Sequence, residues 1–332
     1  MSTSSASNLS PSAPQRQSQP RICVVGSANM DLIARVPRLP RLGETLKGHS
    51  FHLGYGGKGA NQAVMAARLG AHVTMVARVG QDVFGEGMRR NFEAQGIDIT
   101  YITEDAQHSS GVAPIFVDDN AQNVIVIVPG ANDMLSPSDV QAARPAIQSA
   151  SAVVCQLETP LETTLAAFRV AKASGVRTIL NPAPAAPLPD ELLALTDLCA
   201  PNETETELLT GQPVNTLAEV ERAARALLQR GPQAVIVTLG ERGVLYVSGD
   251  EVLHVPALHV QAVDPTGAGD AFIGSLAVFL GEGLSMRQAI GQANAAAALS
   301  VTRIGTQVSF PTRDEVEQFL ASSSAVGAGR AN

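Results

Sequence analysis

Seven residues late in the chain, Asp264-Pro265-Thr266-Gly267-Ala268-Gly269-Asp270, join a glycine turn to a carboxylate. A strand-like run ends near Val263 and a helical pattern starts near Asp270. Gly267 and Gly269 let the backbone approach a ligand closely. The first N–H groups of a helix have no partner within it and favour an anion. A turn built only to hold phosphate would not carry Asp270, because the carboxylate would repel the ligand. A base standing beside a phosphoryl group in transfer belongs in that place. The plainer role for Asp270 is a helix N-cap.

A second glycine cluster is Gly54-Tyr55-Gly56-Gly57-Lys58-Gly59-Ala60-Asn61-Gln62. It contains G-x-G-x-x-G at 54, 56 and 59, a weak dinucleotide signal by itself. It follows a polar segment, sits in the second unit of the chain, and has no acidic residue closing the next strand. Arg78 lies near that point, which leaves an NADP reading open. Lys58 is followed by Gly59, so the segment is not a P-loop. A glycine-lined wall presenting Lys58 and Asn61 to a polyol suits these residues better. Asn29-Met30-Asp31 follows the first strand; an Asn and an Asp two apart share a face when extended. Together they can donate to and accept from sugar hydroxyls.

Pro201-Asn202-Glu203-Thr204-Glu205 opens a helix. Asn202 and Glu205 fit a capping box, and equally a contact to phosphate or to water on Mg²⁺. Thr238-Leu239-Gly240-Glu241-Arg242-Gly243 follows another strand and suits either a hairpin or a nucleotide-lined turn. Glu158 stands at the end of a strand, where open α/β sheets bind ligands. His49 and His52 have no other ligand type nearby. Neither a G-x-S-x-G elbow nor an H-E-x-x-H motif occurs, which leaves serine hydrolase and zinc protease chemistry without support.

The elements that must position these residues alternate. Strands are predicted at 21–26, 73–79, 152–157, 176–180, 197–200 and 234–239. Helices are predicted at 60–69, 84–95, 161–174, 203–210, 216–230, 268–281 and 285–302. This rhythm implies a parallel sheet with helices on both faces. Segments 31–53 and 112–128 interrupt it and suit a small sheet acting as a lid. A hairpin is predicted at 243–255.

The 332 residues are 45% apolar but only 4% aromatic, with a net charge of −8 and no basic cluster. Nucleic acid and anionic membrane are therefore not expected partners. Cys23, Cys155 and Cys199 have no pairing or metal spacing, which fits a reducing, cytoplasmic location. Residues 1–20 read as a disordered tail and the chain from about Ala321 as loose.

Together these segments resemble the ribokinase branch of the PfkB carbohydrate kinase family over about residues 21–315. Its two signatures match at 56–62 and 264–270; Asn181-Pro182-Ala183-Pro184 and the 201–205 segment match too. The resemblance implies a Rossmann-like α/β fold with a β-sheet lid, paired in a homodimer through that lid. It implies that Asn29, Met30, Asp31, Gly57, Lys58, Gly59, Ala60, Asn61 and Glu158 hold ribose. Asp270 would be the base, with Gly267, Ala268 and Gly269 as anion hole. Asn202, Thr238, Leu239, Gly240, Glu241, Arg242, Gly243, Gly269, Asp270 and Asn294 would line the ATP site. Glu205 would be associated with Mg²⁺. An activating monovalent cation, K⁺, would be held at Asp264, Thr266, Ser300, Arg303, Gly305 and Ser309, several through carbonyls. Some family members carry His where Asn294 stands.

The expected reaction is ATP-dependent phosphorylation of D-ribose at O5. The alternatives are another small sugar or nucleoside of the same family, or an NADP-dependent oxidoreductase built on 54–59.

Overall fold

The computed structural model describes residues 19–120 and 122–328. The tail expected at 1–20 thus lies outside the described residues, apart from Gln19 and Pro20.

The chain opens with β1 (Arg21–Val25), turns through three residues, and enters β2 (Asn29–Arg35) and β3 (Ser50–Gly56). Two α/β units follow: α1 (Lys58–Arg68), β4 (His72–Gly80), α2 (Val83–Ala94) and β5 (Asp98–Asp105). Then come β6 (Gly111–Val117), β7 (Asn123–Ile125), α3 (Pro137–Ala142), α4 (Arg144–Gln148) and β8 (Ala152–Cys155). The alternation resumes with α5 (Leu161–Ala173), β9 (Arg177–Leu180), α6 (Asp190–Ala194), β10 (Leu198–Cys199), α7 (Glu203–Thr210) and α8 (Leu217–Leu228). A hairpin after β11 (Ala234–Thr238) gives β12 (Val244–Ser248) and β13 (Glu251–Val255). The chain ends with α9 (Ala268–Gly281), α10 (Met286–Ser300) and α11 (Arg313–Ala328).

Nine strands form one sheet in the order β13-β12-β11-β10-β9-β8-β1-β4-β5. From β11 to β5 every pairing is parallel, and β12 and β13 close one edge antiparallel. In β1, Ile22 and Val24 enter one core while Cys23 and Val25 enter the other. That is the two-fold alternation of a strand buried on both faces. Helices α1, α2, α9, α10 and α11 cover the first face; α3, α4, α5, α6 and α8 cover the second.

The lid is a four-stranded sheet in the order β3-β2-β6-β7. β2 pairs antiparallel with β3 but parallel with β6, because the chain reaches β6 only after the two α/β units. Of the end expected to be loose from Ala321, residues 321–328 continue α11. The Ala- and Ser-rich sequence there permits helix to run on from a well-anchored start. Residues 329–332 lie outside the described residues.

Helix α9 is buried from Asp270 to Leu280 and runs between α1 and α10. It is apolar all round, as a central helix must be. Gly274 lets it press on α1: a methyl there would lie 2.5 Å from the Gln62 carbonyl oxygen. Gly274 is one helical turn beyond Asp270, so this close approach brings Asn61 and Gln62 up to the Asp270 carboxylate.

Candidate active site

Asp270 sits in the first turn of α9 and is only 7% exposed. Its two oxygens accept from Asn61 Nδ2 and Gln62 Nε2, each at 2.9 Å. The N-cap expectation is not what the side chain does; Gly267 is the N-cap, in the left-handed region at φ 80°. Gly267 is also sterically required, since a Cβ would lie 2.6 Å from Thr306 Cγ2. The Ala268 N–H is taken by Pro265 O at 3.2 Å. Among the described residues, the N–H groups of Gly267, Gly269 and Asp270 have no acceptor. These are the orphan donors of a helix start, available to an anion.

That turn opens on a cavity of about 170 Å³ lined by Lys58, Asn202, Glu205, Thr238, Gly267, Ala268, Gly269 and Asp270. Asn181, Ala183, Ala200, Pro265 and Ile273 line it too. Glu205 forms the expected capping box with Asn202: its Oε2 accepts from the Asn202 N–H at 2.8 Å. Oε1 has no protein partner among the described residues, so capping and a role in the cavity coexist. Burial raises the Glu205 carboxyl pKa; the Asn202 N–H and Lys58 lower it, Asp270 raises it, and the net is upward. Burial would depress the Lys58 ammonium, but Asp270, Glu158 and Glu205 outweigh it and hold the amine protonated. Lys58 thus faces three carboxylates, on α9, on α7 and in the loop after β8.

The sugar-side candidates gather where α1 abuts the β1–β2 link. A Cβ on Gly57 would lie 2.8 Å from Asn29 N, and one on Gly59 would lie 2.7 Å from Ser27 N. Glu158 Oε2 accepts from Lys58 N at 3.0 Å and from Ser27 Oγ at 2.6 Å. It therefore caps α1, whose positive end suits a carboxylate. Asn29 Oδ1 accepts from Asn132 Nδ2 at 2.8 Å, leaving the Asn29 NH₂ as a donor. The Asp31 carboxylate lies over Gly56, where a Cβ would sit 2.4 Å from either oxygen. Burial, with Glu158 nearby, raises the Asp31 pKa to about 7. Three of the residues expected at the sugar carry structural contacts. Met30 packs into the core, and the N–H groups of Gly59 and Ala60 donate to Ser27 Oγ and O.

Of the 238–243 segment, Thr238 lines the cavity. Leu239 is buried, Gly240 and Glu241 are exposed in a 3₁₀ turn, and Gly243 lies against β13. The Arg242 guanidinium binds Glu203 and the carbonyls of Val214 and Asn215. Asn294, on α10, lines a neighbouring apolar cavity of about 290 Å³ with Val255, Pro256 and Leu258.

The cation candidates form a separate loop cluster. Asp264 accepts from Thr266 N at 3.0 Å and Gly305 N at 2.9 Å, and its N–H donates to Val301 O. Burial raises the Asp264 carboxyl pKa, but these N–H groups outweigh it and hold it below the ordinary value. Ser300 and Ser309 turn their hydroxyls to local carbonyls, and Arg303 pairs with Glu315 at 2.5 Å.

Sequence reasoning missed Gln62, Gln156, Asn132, Gln307 and Ser27. Gln62 binds Asp270 and Asn181 with Nε2 and accepts from Gln156 at 2.6 Å. Adjacent amides at 61 and 62, in a helix otherwise apolar between Lys58 and Arg68, were the available signal.

The NADP alternative is corrected by the geometry. Gly54 and Gly56 lie in lid strand β3, not in a strand-to-helix turn, and Arg78 is committed to Asp105 and Asp139. A dinucleotide fingerprint needs its glycines in the turn.

The sequence pattern of "pfkB family carbohydrate kinase" matches residues 19–313. A deoxyribokinase of Salmonella typhi is 44% identical over 90% of this chain and 98% of its own. A mouse ribokinase is 42% identical over 91% of this chain and 95% of its own. The structure of Arabidopsis thaliana ribokinase complexed with ribose and ATP superposes with a TM-score of 0.85 at 33% identity, covering 91% and 99% of the two chains. With the buried carboxylate, the open helix start and this match over nearly the whole fold, the chain belongs to the pfkB family of carbohydrate kinases.

Proposed function

We propose that this kinase transfers the γ-phosphoryl group of Mg·ATP to O5 of D-ribose. The observation that carries the reading is Asp270: buried, held by two amides, and beside free N–H groups at a helix start. The Asp270 carboxylate takes the O5 proton as that oxygen bonds to the γ-phosphorus and the bond to the β-phosphate oxygen breaks, releasing ADP. The N–H groups of Gly269 and Asp270 meet the charge on the transferring group. Lys58 stands between the sugar side and the cavity. Its charge matches the phosphate there.

Mg²⁺ would enter with ATP as part of the substrate; Glu205, whose Oε1 has no protein partner among the described residues, and Asn202 would hold its water shell and so help neutralise the phosphate charge. One carboxylate amid backbone carbonyls around Asp264 and 300–309 suits K⁺, which would fix that loop beside the anion hole. Asn29, Asp31 and Glu158 receive the sugar hydroxyls. Phe51 and Leu53 on β3, exposed at 61% and 56%, support pairing of two chains through the lid. Three free buried cysteines support a reducing cytoplasm.

A second reading, 2-deoxy-D-ribose as acceptor, is favoured by the 44% identity to a deoxyribokinase. An ADP-release assay over ribose, 2-deoxyribose, fructose and nucleosides, with and without K⁺, tests both. The expected result is highest kcat/KM for ribose and activation by K⁺. Preference for 2-deoxyribose selects the second reading, and no turnover with any sugar sinks both.

A further inference from the structure

Asp270 ends a chain of three hydrogen bonds that begins on a different element. Asn91 Nδ2, on α2, donates to Gln307 Oε1 at 2.9 Å. Gln307 Nε2, in a 3₁₀ turn, donates to Asn61 Oδ1 at 3.1 Å. Asn61 Nδ2 donates to Asp270 Oδ2 at 2.9 Å. Gln307 and Asn61 are each 5% exposed. Buried amides of this kind must be paired.

One end sets the direction of every bond. An ionised carboxylate only accepts, so Asn61 must turn its NH₂ to Asp270. Its carbonyl then needs a donor, which Gln307 supplies. The Gln307 carbonyl needs a donor in turn, which Asn91 supplies. Without Gln307 the Asn61 amide is free to reverse and point its oxygen at the base. We propose that Gln307, backed by Asn91, is a positioning residue that locks the Asn61 amide and keeps Asp270 an acceptor aimed at the substrate alcohol. This rests on the reading of Asp270 as the base. Neither Gln307 nor Asn91 lines the cavity. The charged groups facing Asp270 are Lys58 at the start of α1 and Glu205 at the start of α7, and neither belongs to the chain of amides.

The test is the pH profile of kcat for the full-length protein with Mg·ATP and D-ribose, or 2-deoxy-D-ribose if that is the better acceptor. Asn91→Asp, at a half-buried site, can only accept. Gln307 then reverses, Asn61 reverses, and Asp270 regains its bond only by taking a proton. The acid limb of kcat should rise by about one pH unit, with sugar KM within about threefold of wild type. Gln307→Met cuts the chain without adding charge and should lower kcat about tenfold. In the double variant Asn91→Asp/Gln307→Met the limb should return to that of Gln307→Met alone. A limb that does not move in Asn91→Asp, or a shift that persists in the double variant, overturns the proposal. If Gln307→Met does not fold, Asn91→Leu replaces it; Leu has no drive to reverse the chain, and a shift equal to that of Asn91→Asp overturns the proposal. Asp270→Asn separates the two failures. Lost turnover there with unaffected Asn91 and Gln307 variants removes only the positioning role; near-normal turnover there removes the base itself.

Discussion

Asn61 and Asp270, 209 positions apart, meet through a hydrogen bond of 2.9 Å. That bond joins the first turn of α1 to the first turn of α9, and with it the two glycine clusters. If Asp270 is the base, Asp270→Asn keeps the shape and removes the proton acceptor. Turnover should fall by about 100- to 10,000-fold. Sugar affinity measured by calorimetry should stay within a few-fold. A kcat near wild type would refute the role.

Gly269 tests the anion hole without touching the fold. A Cβ there would meet no heavy atom within 4 Å, yet the residue lines the cavity. Its φ is not positive, so alanine is tolerated by the backbone. Gly269→Ala should therefore melt at or slightly above the wild-type temperature. The methyl occupies space a phosphate needs, and kcat/KM for ATP should drop at least about tenfold, within the range lost with one oxyanion donor. Unchanged ATP kinetics would place the nucleotide elsewhere.

Asp31 gives a pH dependence with a definite sign. Its carboxyl is raised to about 7 by burial and by Glu158. If Asp31 receives sugar hydroxyls, they donate to the ionised form and binding favours deprotonation. Sugar affinity should strengthen as pH rises from 6 to 8 and level off above. The free protein shows the opposite trend, because ionising a buried carboxyl opposes folding. This contribution to stability falls as pH climbs from the unfolded carboxyl range towards 7 and is level beyond it. The chain has no Trp, so calorimetry is the direct readout of binding. An affinity flat across that window would show that Asp31 stays ionised or does not touch the sugar.

The apolar lid face predicts an assembly. Phe51 and Leu53 alternate along edge strand β3 and share one side. Ile125 and Ile127 are also exposed in the β7 region, at 50% and 49%. Replacing Phe51 and Leu53 together by lysine leaves the core untouched. Light scattering should then show a monomer where the unaltered chain is a dimer. A monomeric unaltered chain would leave the face for another partner.

Much of the scaffold was legible because its signals are local. The capping box of Asn202 and Glu205, the glycine stop after α1, and the buried run of β1 each need only neighbours in sequence. β5 was not, since Asp98–Asp105 loses alternation at Tyr101-Ile102 and ends in the polar run Thr103-Glu104-Asp105 at a sheet edge. The turn carrying Asp270 was legible as a glycine turn opening a helix. Its supporting amides were not, because Gln62, Gln156 and Gln307 acquire meaning only through contacts spanning 94 to 246 positions. Gly57 and Gly59 were visible as flexible residues. Their steric reason, the backbone at 27–29, is again long-range.

β2 begins with Asn29 and Asp31 and continues as a central strand of the lid. If Asn29 and Asp31 hold the acceptor as proposed, the residues that bind it and the small sheet beside it are cut from one piece of backbone. On that reading selectivity and the sheet's packing cannot be swapped independently: transplanting residues 29–56 and 111–128 from a relative should carry its sugar preference with them.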